Sequence, residues 1–186
     1  TPDVMPSDIM GFSMFNPSTR EFEYREGAAM CNFLLADEIN RASPKTQSSL
    51  LEIMEEYQVT VDGKTYPLPK PFMVLATQNP IESFGRYPLP EAQMDRFFLK
   101  LSIGYPGKNE EKLILDRFGS ENPLNELRPV TNINEILELQ NQVKKVKMED
   151  CLKTYIVDII EATRKSQDVV LGGSPRGSLN LYRASK

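Results

Sequence analysis

The sequence contains no histidine, and this absence excludes several kinds of chemistry. Ser-His and Cys-His nucleophilic systems need an imidazole as their general base, and histidine is also the commonest zinc ligand. Any reaction that the chain catalyses must therefore rely on carboxylates, asparagine, lysine, arginine and a hard metal ion such as Mg²⁺.

Cysteine, long apolar runs and basic charge are also scarce. The two cysteines, Cys31 and Cys151, lie far apart in the sequence, as expected of reduced thiols in a cytoplasmic protein. No apolar run is long enough for a transmembrane helix. The first residues show neither a signal peptide nor an initiator methionine, so we expect a piece of a longer protein. The net charge of −4 argues against a surface that coats nucleic acid.

Predicted strands alternate with predicted helices in the first part of the chain. The apolar runs Asn32–Ala36 and Phe72–Ala76 have the length of strands buried on both faces of a parallel sheet, and Phe97–Ile103 predicts a third strand. Ser43-Pro44 predicts the N-cap and the first residue of a helix, and Pro90 opens a shorter helix. This order of elements is typical of an α/β fold.

Local patterns also predict the structure of the remaining segments. One β-hairpin is predicted within residues 6–27 and another at 59–66, where Asp62-Gly63 favours a tight turn. After Gly107 the apolar residues recur with helical spacing, and a last helix is expected to begin near Arg176. These residues therefore predict a small all-helical module.

Polar side chains follow the two predicted buried strands at the point where each strand ends. Asp37 and Glu38 follow one strand, and Asn79 follows the other. Ligands of open parallel sheets lie beyond the carboxyl ends of the strands, so neighbouring strands would bring these groups together. One carboxylate could hold Mg²⁺, the second could activate a water, and the amide could orient that water towards a phosphate. The simpler interpretation is that the two acids only end a strand and cap a helix.

Two arginines are candidates for contacts with phosphate. Arg96 precedes the predicted third strand, where an ion pair with a neighbour such as Asp95 is the simpler interpretation and an arginine finger at a subunit boundary is the functional one. Arg176 follows Ser174-Pro175 in the first turn of a helix, where it could be merely exposed or could sense a phosphate.

No phosphate-binding P-loop, G-x-x-x-x-G-K-[ST], is present in the sequence. Gly63-Lys64-Thr65 has the last three residues, but Gln58 stands where the first glycine is required and the segment lies in a hairpin. Gly107-Lys108 does not match either, because Ser102 stands where the first glycine is required and Asn109 follows the lysine. The chain therefore has no backbone cradle of its own for the phosphates of a nucleotide.

Four segments and the opening of the chain carry recognisable motifs. They are Phe33–Ala42 (FLLADEINRA), Ala76–Pro80 (ATQNP), Leu89–Phe97 (LPEAQMDRF), Gly173–Arg176 (GSPR) and Met5–Ile9 (MPSDI). In this order they resemble the MoxR family of AAA+ ATPases over essentially the whole chain. The resemblance implies a partial P-loop AAA+ αβα core with a parallel sheet in residues 1–105. An all-helical lid is implied in residues 106–186, and whether it is cut short at Lys186 stays open.

The same resemblance implies roles for individual residues, with ATP and Mg²⁺ as cofactors. Asp37 matches the Walker B residue that holds Mg²⁺, and Glu38 matches the catalytic base. Asn79 matches sensor 1, Arg96 the arginine finger and Arg176 sensor 2, which could act on its own subunit or on a neighbour. The hairpins match the helix-2 insert and the pre-sensor-1 insert. Members of this family are expected to form hexameric rings that remodel or activate partner proteins, often with a von Willebrand factor A-domain protein.

The sequence departs from the family pattern because the Walker A loop and its strand are absent. In the family's sheet that strand lies between the sensor 1 strand and the last core strand, so the strand predicted from Phe97 would have no partner. We therefore expect these 186 residues alone to be less stable than the full domain, to bind ATP weakly and to be inactive.

Two other functions are compatible with the motifs. A degenerate AAA+ remnant could serve as an interaction scaffold that needs no nucleotide. A related motor of the same clade, similar to a magnesium chelatase subunit or linked to DNA, could use the two hairpins as pore contacts. The modest lysine and arginine content of these two hairpins argues against work on DNA.

Overall fold

The computed structural model describes residues 4–79, 87–119 and 123–186, which form two compact units. One unit comprises Thr1–Phe98 with Val146–Lys186, and the other comprises Leu99–Lys145. The domain boundary expected between residues 105 and 106 remains a prediction. None of the described helices has both the length and the apolar character that a membrane crossing needs.

The described residues contain six short strands and seven α-helices. The strands are β1 (Phe12–Asn16), β2 (Glu21–Arg25), β3 (Phe33–Ala36), β4 (Gln58–Val61), β5 (Lys64–Pro67) and β6 (Met73–Ala76). The helices are α1 (Pro6–Met10), α2 (Pro44–Glu56), α3 (Glu91–Met94), α4 (Lys108–Phe118), α5 (Ile133–Lys145), α6 (Asp150–Lys165) and α7 (Pro175–Ala184). Short 3₁₀ turns occupy Ile39–Arg41 and Pro123–Glu126.

β3 and β6 pair in parallel, with Phe33 opposite Met73 and Ala36 opposite Ala76. The sequence predicts both strands in a parallel sheet but leaves open whether they are neighbours. The expectation that both faces of these strands are buried is wrong. Phe33 and Leu75, on the same outer face, are 55% and 52% exposed, because no element among the described residues covers that side. The other face packs on the core, so the alternation of the pleat decides which side chains are buried.

The strand predicted at Phe97–Ile103 does not form, although its apolar pattern favours one. These residues have no strand structure, and Leu101 and Ile103 are 82% and 99% exposed. A strand needs a partner for its backbone hydrogen bonds, and the described residues supply none beside this segment.

Both predicted hairpins are present. β1 pairs antiparallel with β2, and the rings of Phe15 and Phe22 meet edge to face across the pair at 5.5 Å. β4 pairs antiparallel with β5. Asp62 and Gly63 between them have φ angles of 49° and 76°, as a type I′ turn requires.

α2 is the central element of the core. It begins as predicted, with the hydroxyl of Ser43 accepting a hydrogen bond from the backbone N–H of Thr46. Leu51 and Ile53 on this helix are each 1% exposed. The core cluster consists of Ile9, Ala29, Ile39, Leu50, Leu51, Ile53, Val59, Leu68 and Leu89. The loop before α2 and the carboxyl end of α2 therefore lie at opposite ends of one buried helix.

The described residues after Gly107 contain only helices and connections, as the sequence predicts. The start of α7 is held against the end of α6, because Arg164 Nε donates to the carbonyl of Gly173 at 2.8 Å. Glycine is required at position 172, since a Cβ there would lie 2.6 Å from the Cα of Arg164. This close approach fixes where α7 begins.

Candidate functional site

The carboxyl ends of β3 and β6 continue their pairing into the loops that carry the predicted site. The backbone N–H of Thr77 donates to the carbonyl of Ala36 at 3.1 Å, and the N–H of Ile39 donates to the carbonyl of Thr77 at 3.0 Å. Asp37 and Glu38 therefore lie directly beside the segment that leads to Asn79. Three predicted site residues are thus brought to one edge of the sheet.

The hydroxyl of Thr77 connects both carboxylate residues. It donates a hydrogen bond to Asp37 Oδ1 at 2.6 Å and accepts one from the backbone N–H of Glu38 at 2.8 Å. One side chain thereby fixes the carboxylate of Asp37 and the backbone of Glu38 together. Such positioning contacts hold functional side chains in a defined geometry.

Glu38 has a strained backbone and a restrained side chain. Its φ and ψ of 49° and 52° lie in the left-handed region, which costs a residue with a Cβ of the order of 1 kcal/mol or more. Its Oε2 accepts a hydrogen bond from Arg41 Nη1 at 2.7 Å, and its Oε1 lies 3.5 Å from Asn79 Nδ2. Strained conformations of this kind concentrate at functional sites.

The electrostatic surroundings of Glu38 favour its ionised form. The hydrogen bond from Arg41 is the main cause that lowers the pKa of Glu38 below its usual value, and the Asn79 amide and the charge of Arg41 lower it further. Partial desolvation and the neighbouring charge of Asp37 act in the opposite direction. Glu38 is therefore a carboxylate throughout the neutral pH range.

Two buried amides anchor the segments around this cluster. Gln47, 2% exposed on α2, donates to the carbonyls of Ile39, Ala42 and Tyr87 at 3.1, 3.3 and 2.8 Å. Asn40, 8% exposed, directs its Nδ2 towards the carbonyl of Asn79 at 3.4 Å. The first turns of α2 thus hold the loop after β3 in place.

The two predicted arginines meet at a different place. Arg96 Nη1 lies 3.2 Å from Glu55 Oε2, and Arg176 Nη2 bonds to the other oxygen of the same carboxylate. Both arginines therefore pair with Glu55, near the carboxyl end of α2. The described residues show no ion pair between Arg96 and Asp95, and Arg176 is exposed but paired with Glu55.

These contacts separate the two arginines from the carboxylate cluster, which consists of Asp37 and Glu38 with Thr77 and Asn79. Glu55 follows Gln47 by eight residues, which at 1.5 Å per residue is about 12 Å further along the axis of α2. Gln47 itself contacts the loop after Glu38. In the described part of the chain, no hydrogen bond or ion pair joins Arg96 or Arg176 to Asp37 or Glu38.

Sequence reasoning missed three residues that organise these clusters: Thr77, Arg41 and Glu55. Thr77 follows directly after the second apolar strand, and this position could have identified it as a polar group at the site. Arg41 follows Glu38 by one helical turn, a spacing at which opposite charges interact. Glu55 carries no local signal, because its partners are far away in the sequence.

The carboxylate cluster fits a magnesium ion that is bound with a nucleotide. Among the described residues no three or more His, Cys, Asp or Glu side chains group closely enough to hold a metal by themselves. Mg²⁺ in nucleotide sites usually takes one or two carboxylates, and its other ligands are phosphates and water. Asp37 and Glu38 are donors of this type.

Comparisons with known proteins agree with the fold. The model of the ATPase family associated with various cellular activities (AAA) matches residues 1–99, more than half of the chain. Over its whole length the chain is 43% identical to the chaperone MoxR1 of Mycobacterium tuberculosis (strain H37Rv) and 27% identical to the protein MoxR of Paracoccus denitrificans. The chain belongs to the MoxR family of AAA+ ATPases.

Another relative and a solved structure extend over the same residues. The uncharacterized protein YeaC of Bacillus subtilis (strain 168) is 53% identical over all 186 residues. The crystal structure of a protein from Cytophaga hutchinsonii, described provisionally as an ATPase, superimposes with a TM-score of 0.86 at 41% identity over 98% of this chain. The chain spans 51–61% of the length of the curated relatives named here and 58% of the chain in that crystal structure.

Proposed function

We propose that this chain supplies the hydrolytic half of an ATPase site, in which Asp37 holds Mg²⁺ and Glu38 activates the attacking water. The observation that carries the proposal is the cluster in which Thr77 bridges Asp37 and Glu38 while Asn79 faces Glu38. Mg²⁺, when bound, would neutralise the charge that develops on the phosphates. Asn79 orients the water in line with the terminal phosphate.

Arg96 and Arg176 act in this proposal on a nucleotide held by a neighbouring copy of the chain. Both lie at the far end of α2 from Glu38, paired with Glu55. An arginine that stabilises the transferred phosphoryl group must reach that group directly. Their common position favours joint action across a subunit boundary, in a homo-oligomeric ring that we propose to be hexameric.

The proposed output of hydrolysis is chaperone-like remodelling or activation of a partner protein. The relative from Mycobacterium tuberculosis is named a chaperone, and the family membership supports the same class of activity for this chain. A von Willebrand factor A-domain protein is the proposed type of partner. No specific contact among the described residues favours a scaffold or a DNA-linked motor.

These 186 residues by themselves are proposed to bind ATP weakly, because the G-x-x-x-x-G-K-[ST] motif is absent from them. Isothermal titration of the 186-residue chain with Mg-ATP should give no saturation in the low-micromolar range. Binding at low-micromolar or lower concentration would contradict this proposal.

Glu38→Gln in the full-length protein tests the proposed hydrolytic role. Loss of a general base is expected to lower kcat about 10²–10⁴-fold, while the Kd for ATP stays within about threefold because the amide keeps the shape of the side chain. The matched control is Glu21→Gln on the β1–β2 hairpin, outside the carboxylate cluster. Unchanged kcat in Glu38→Gln would overturn the assignment. If that variant lost hydrolysis but still activated its partner fully, the scaffold function would replace the proposed one.

A further inference from the structure

Arg96 and Arg176 are held side by side by a single carboxylate. Each guanidinium contacts a different oxygen of Glu55, so the two groups are separated by no more than two polar contacts and the width of one carboxylate. The residues come from α2, α7 and the segment after α3, all within one compact unit. The pairing of the two arginines therefore depends on how three separate segments of this unit pack together.

Two further hydrogen bonds dock α7 on the segment that carries Arg96. The hydroxyl of Ser174 donates to Asp95 Oδ2 at 2.6 Å, and Asn180 Nδ2 lies 3.5 Å from the carbonyl of Phe97. Ser174 is the residue that caps α7, two positions before Arg176. The residues on both sides of Arg96 are thus bound to the helix that carries Arg176.

Glu55 places one negative charge between the positive charges of Arg96 and Arg176. Two guanidinium groups at this separation repel each other, and a carboxylate between them attracts each one, which offsets the repulsion. The side chains are each between 33% and 46% exposed, and pairs with this exposure contribute little to stability. The arrangement is better explained by the positions that it imposes on the arginines than by its contribution to folding.

We propose that Glu55 is a positioning residue that holds Arg96 and Arg176 together as one receptor for the terminal phosphates of a nucleoside triphosphate on a neighbouring copy of this chain. The inference rests on the proposed function. A guanidinium has five N–H donors in a fixed plane and matches phosphate geometry. Contact of one edge with Glu55 therefore leaves donors on each arginine for phosphate oxygens.

Mixed assemblies of the full-length protein test this inference, because they place Glu55→Gln on a chosen side of the subunit boundary. The first partner carries Arg96→Ala and Arg176→Ala and keeps Glu38. The second partner carries Glu38→Gln and keeps both arginines. Neither partner should hydrolyse ATP well alone, and mixing them should restore hydrolysis if the arginines act on the neighbour.

The expected effect of Glu55→Gln depends on the subunit that carries it. In the subunit with intact arginines it should lower the restored kcat by at least about tenfold, because a misplaced charged group loses much of its effect on the transition state. In the subunit that lacks both arginines it should change the restored kcat less than about twofold, since Glu55 has nothing to position there. The KM for ATP should change little in either case.

Glu52→Gln is the matched control. Glu52 lies one turn before Glu55, lines the same open groove and makes no ion pair with either arginine among the described residues. This variant should leave the restored kcat unchanged on both sides. Assembly is checked by size-exclusion chromatography, so that loss of the ring is distinguished from loss of positioning.

Two results would overturn the inference in different ways. Restored hydrolysis that is unaffected by Glu55→Gln, or affected equally in both subunits, would remove the positioning role but leave the proposed function standing. Absence of any restored hydrolysis in the original mixture, with mixed rings present, would show that the arginines do not act on the neighbour. That outcome would contradict the subunit arrangement in the proposed function, and the inference would fall with it.

Discussion

The hydroxyl of Thr77 donates a hydrogen bond of 2.6 Å to the carboxylate of Asp37, across the ends of two parallel strands. The same oxygen accepts the backbone N–H of Glu38. A single hydroxyl thereby determines the rotamer of one candidate catalytic carboxylate and supports the left-handed backbone of the next residue. Its removal should affect the metal ligand and the base together.

Thr77→Val keeps the shape of the side chain and removes both hydrogen bonds. We expect the Mg²⁺ concentration for half-maximal ATPase activity of the full-length protein to rise, and kcat to fall about tenfold, because Asp37 loses its orientation. Thr77→Ser keeps the hydroxyl and should stay within about threefold of the wild type. Equal activity of the valine and serine variants would show that the hydroxyl does not position the site.

Arg41→Ala tests the electrostatic environment of Glu38. The pair with Arg41 is the main cause of the lowered pKa of Glu38, so its loss should raise this pKa towards the usual value for glutamic acid. A general base works only when it is deprotonated. The acidic limb of the pH–kcat profile should therefore move to higher pH in the variant.

The sign of the stability effect follows from the same shift. A carboxyl whose pKa is lowered by folding contributes stability above its unfolded pKa, and this contribution is lost as the pH falls through the folded value. Arg41→Ala should therefore narrow the stability difference between neutral and acidic pH. Arg41→Lys keeps the positive charge, so its stability difference between neutral and acidic pH should lie between those of the wild type and of Arg41→Ala. An acidic limb at the same pH in all three would contradict the assignment of Glu38 as the titrating base.

Signals within a few residues of each other were enough to predict much of the fold. Two apolar runs were enough to predict the strands β3 and β6, although not that they are neighbours, and Ser43-Pro44 was enough to predict the start of α2. The strand expected at Phe97–Ile103 failed because its pattern is local whereas its hydrogen bonds require a partner. Sequence predicted which polar residues gather at the sheet edge, but not the hydroxyl of Thr77 as their link.

The arginine pair illustrates the limit of local patterns more clearly. Glu55 lies 121 residues from Arg176 in the sequence, and nothing near it distinguishes it from its neighbours Glu52 and Glu56. An exposed glutamate on a helix is usually only a solvated charge. Its importance appears only when packing brings α7 and the segment after α3 to the same end of α2.

Gln47→Leu tests how firmly α2 holds the loop after β3. The substitution keeps the approximate volume of a buried side chain but removes the donor for three carbonyls. Buried acceptors without a partner cost roughly 1–3 kcal/mol, so urea denaturation should give a loss of about that size in the free energy of unfolding. Gln142→Leu, at an exposed position on α5, is the control and should change stability by less than about 0.5 kcal/mol. Equal effects of both substitutions would mean that these hydrogen bonds contribute nothing specific.

Ser174 performs two tasks that substitutions can separate. Its hydroxyl caps α7 by accepting from the N–H of Gly177 at 3.2 Å, and it donates to Asp95 at 2.6 Å. Ser174→Ala removes both interactions, so it should cost about 0.5–2 kcal/mol of stability through the lost cap and should also lower kcat by displacing Arg176. Ser174→Thr can preserve both interactions and should resemble the wild type.

Asp95→Ala completes this comparison, because it removes only the contact between α7 and the segment that carries Arg96. Its stability loss should be smaller than that of Ser174→Ala, while its fall in kcat should be similar, since both variants release the same hydrogen bond. Thermal denaturation and ATPase assays of the full-length protein measure the two effects separately. If kcat instead followed stability across the three variants, the docking of α7 would matter only for folding, and the position of Arg176 would depend on Glu55 alone.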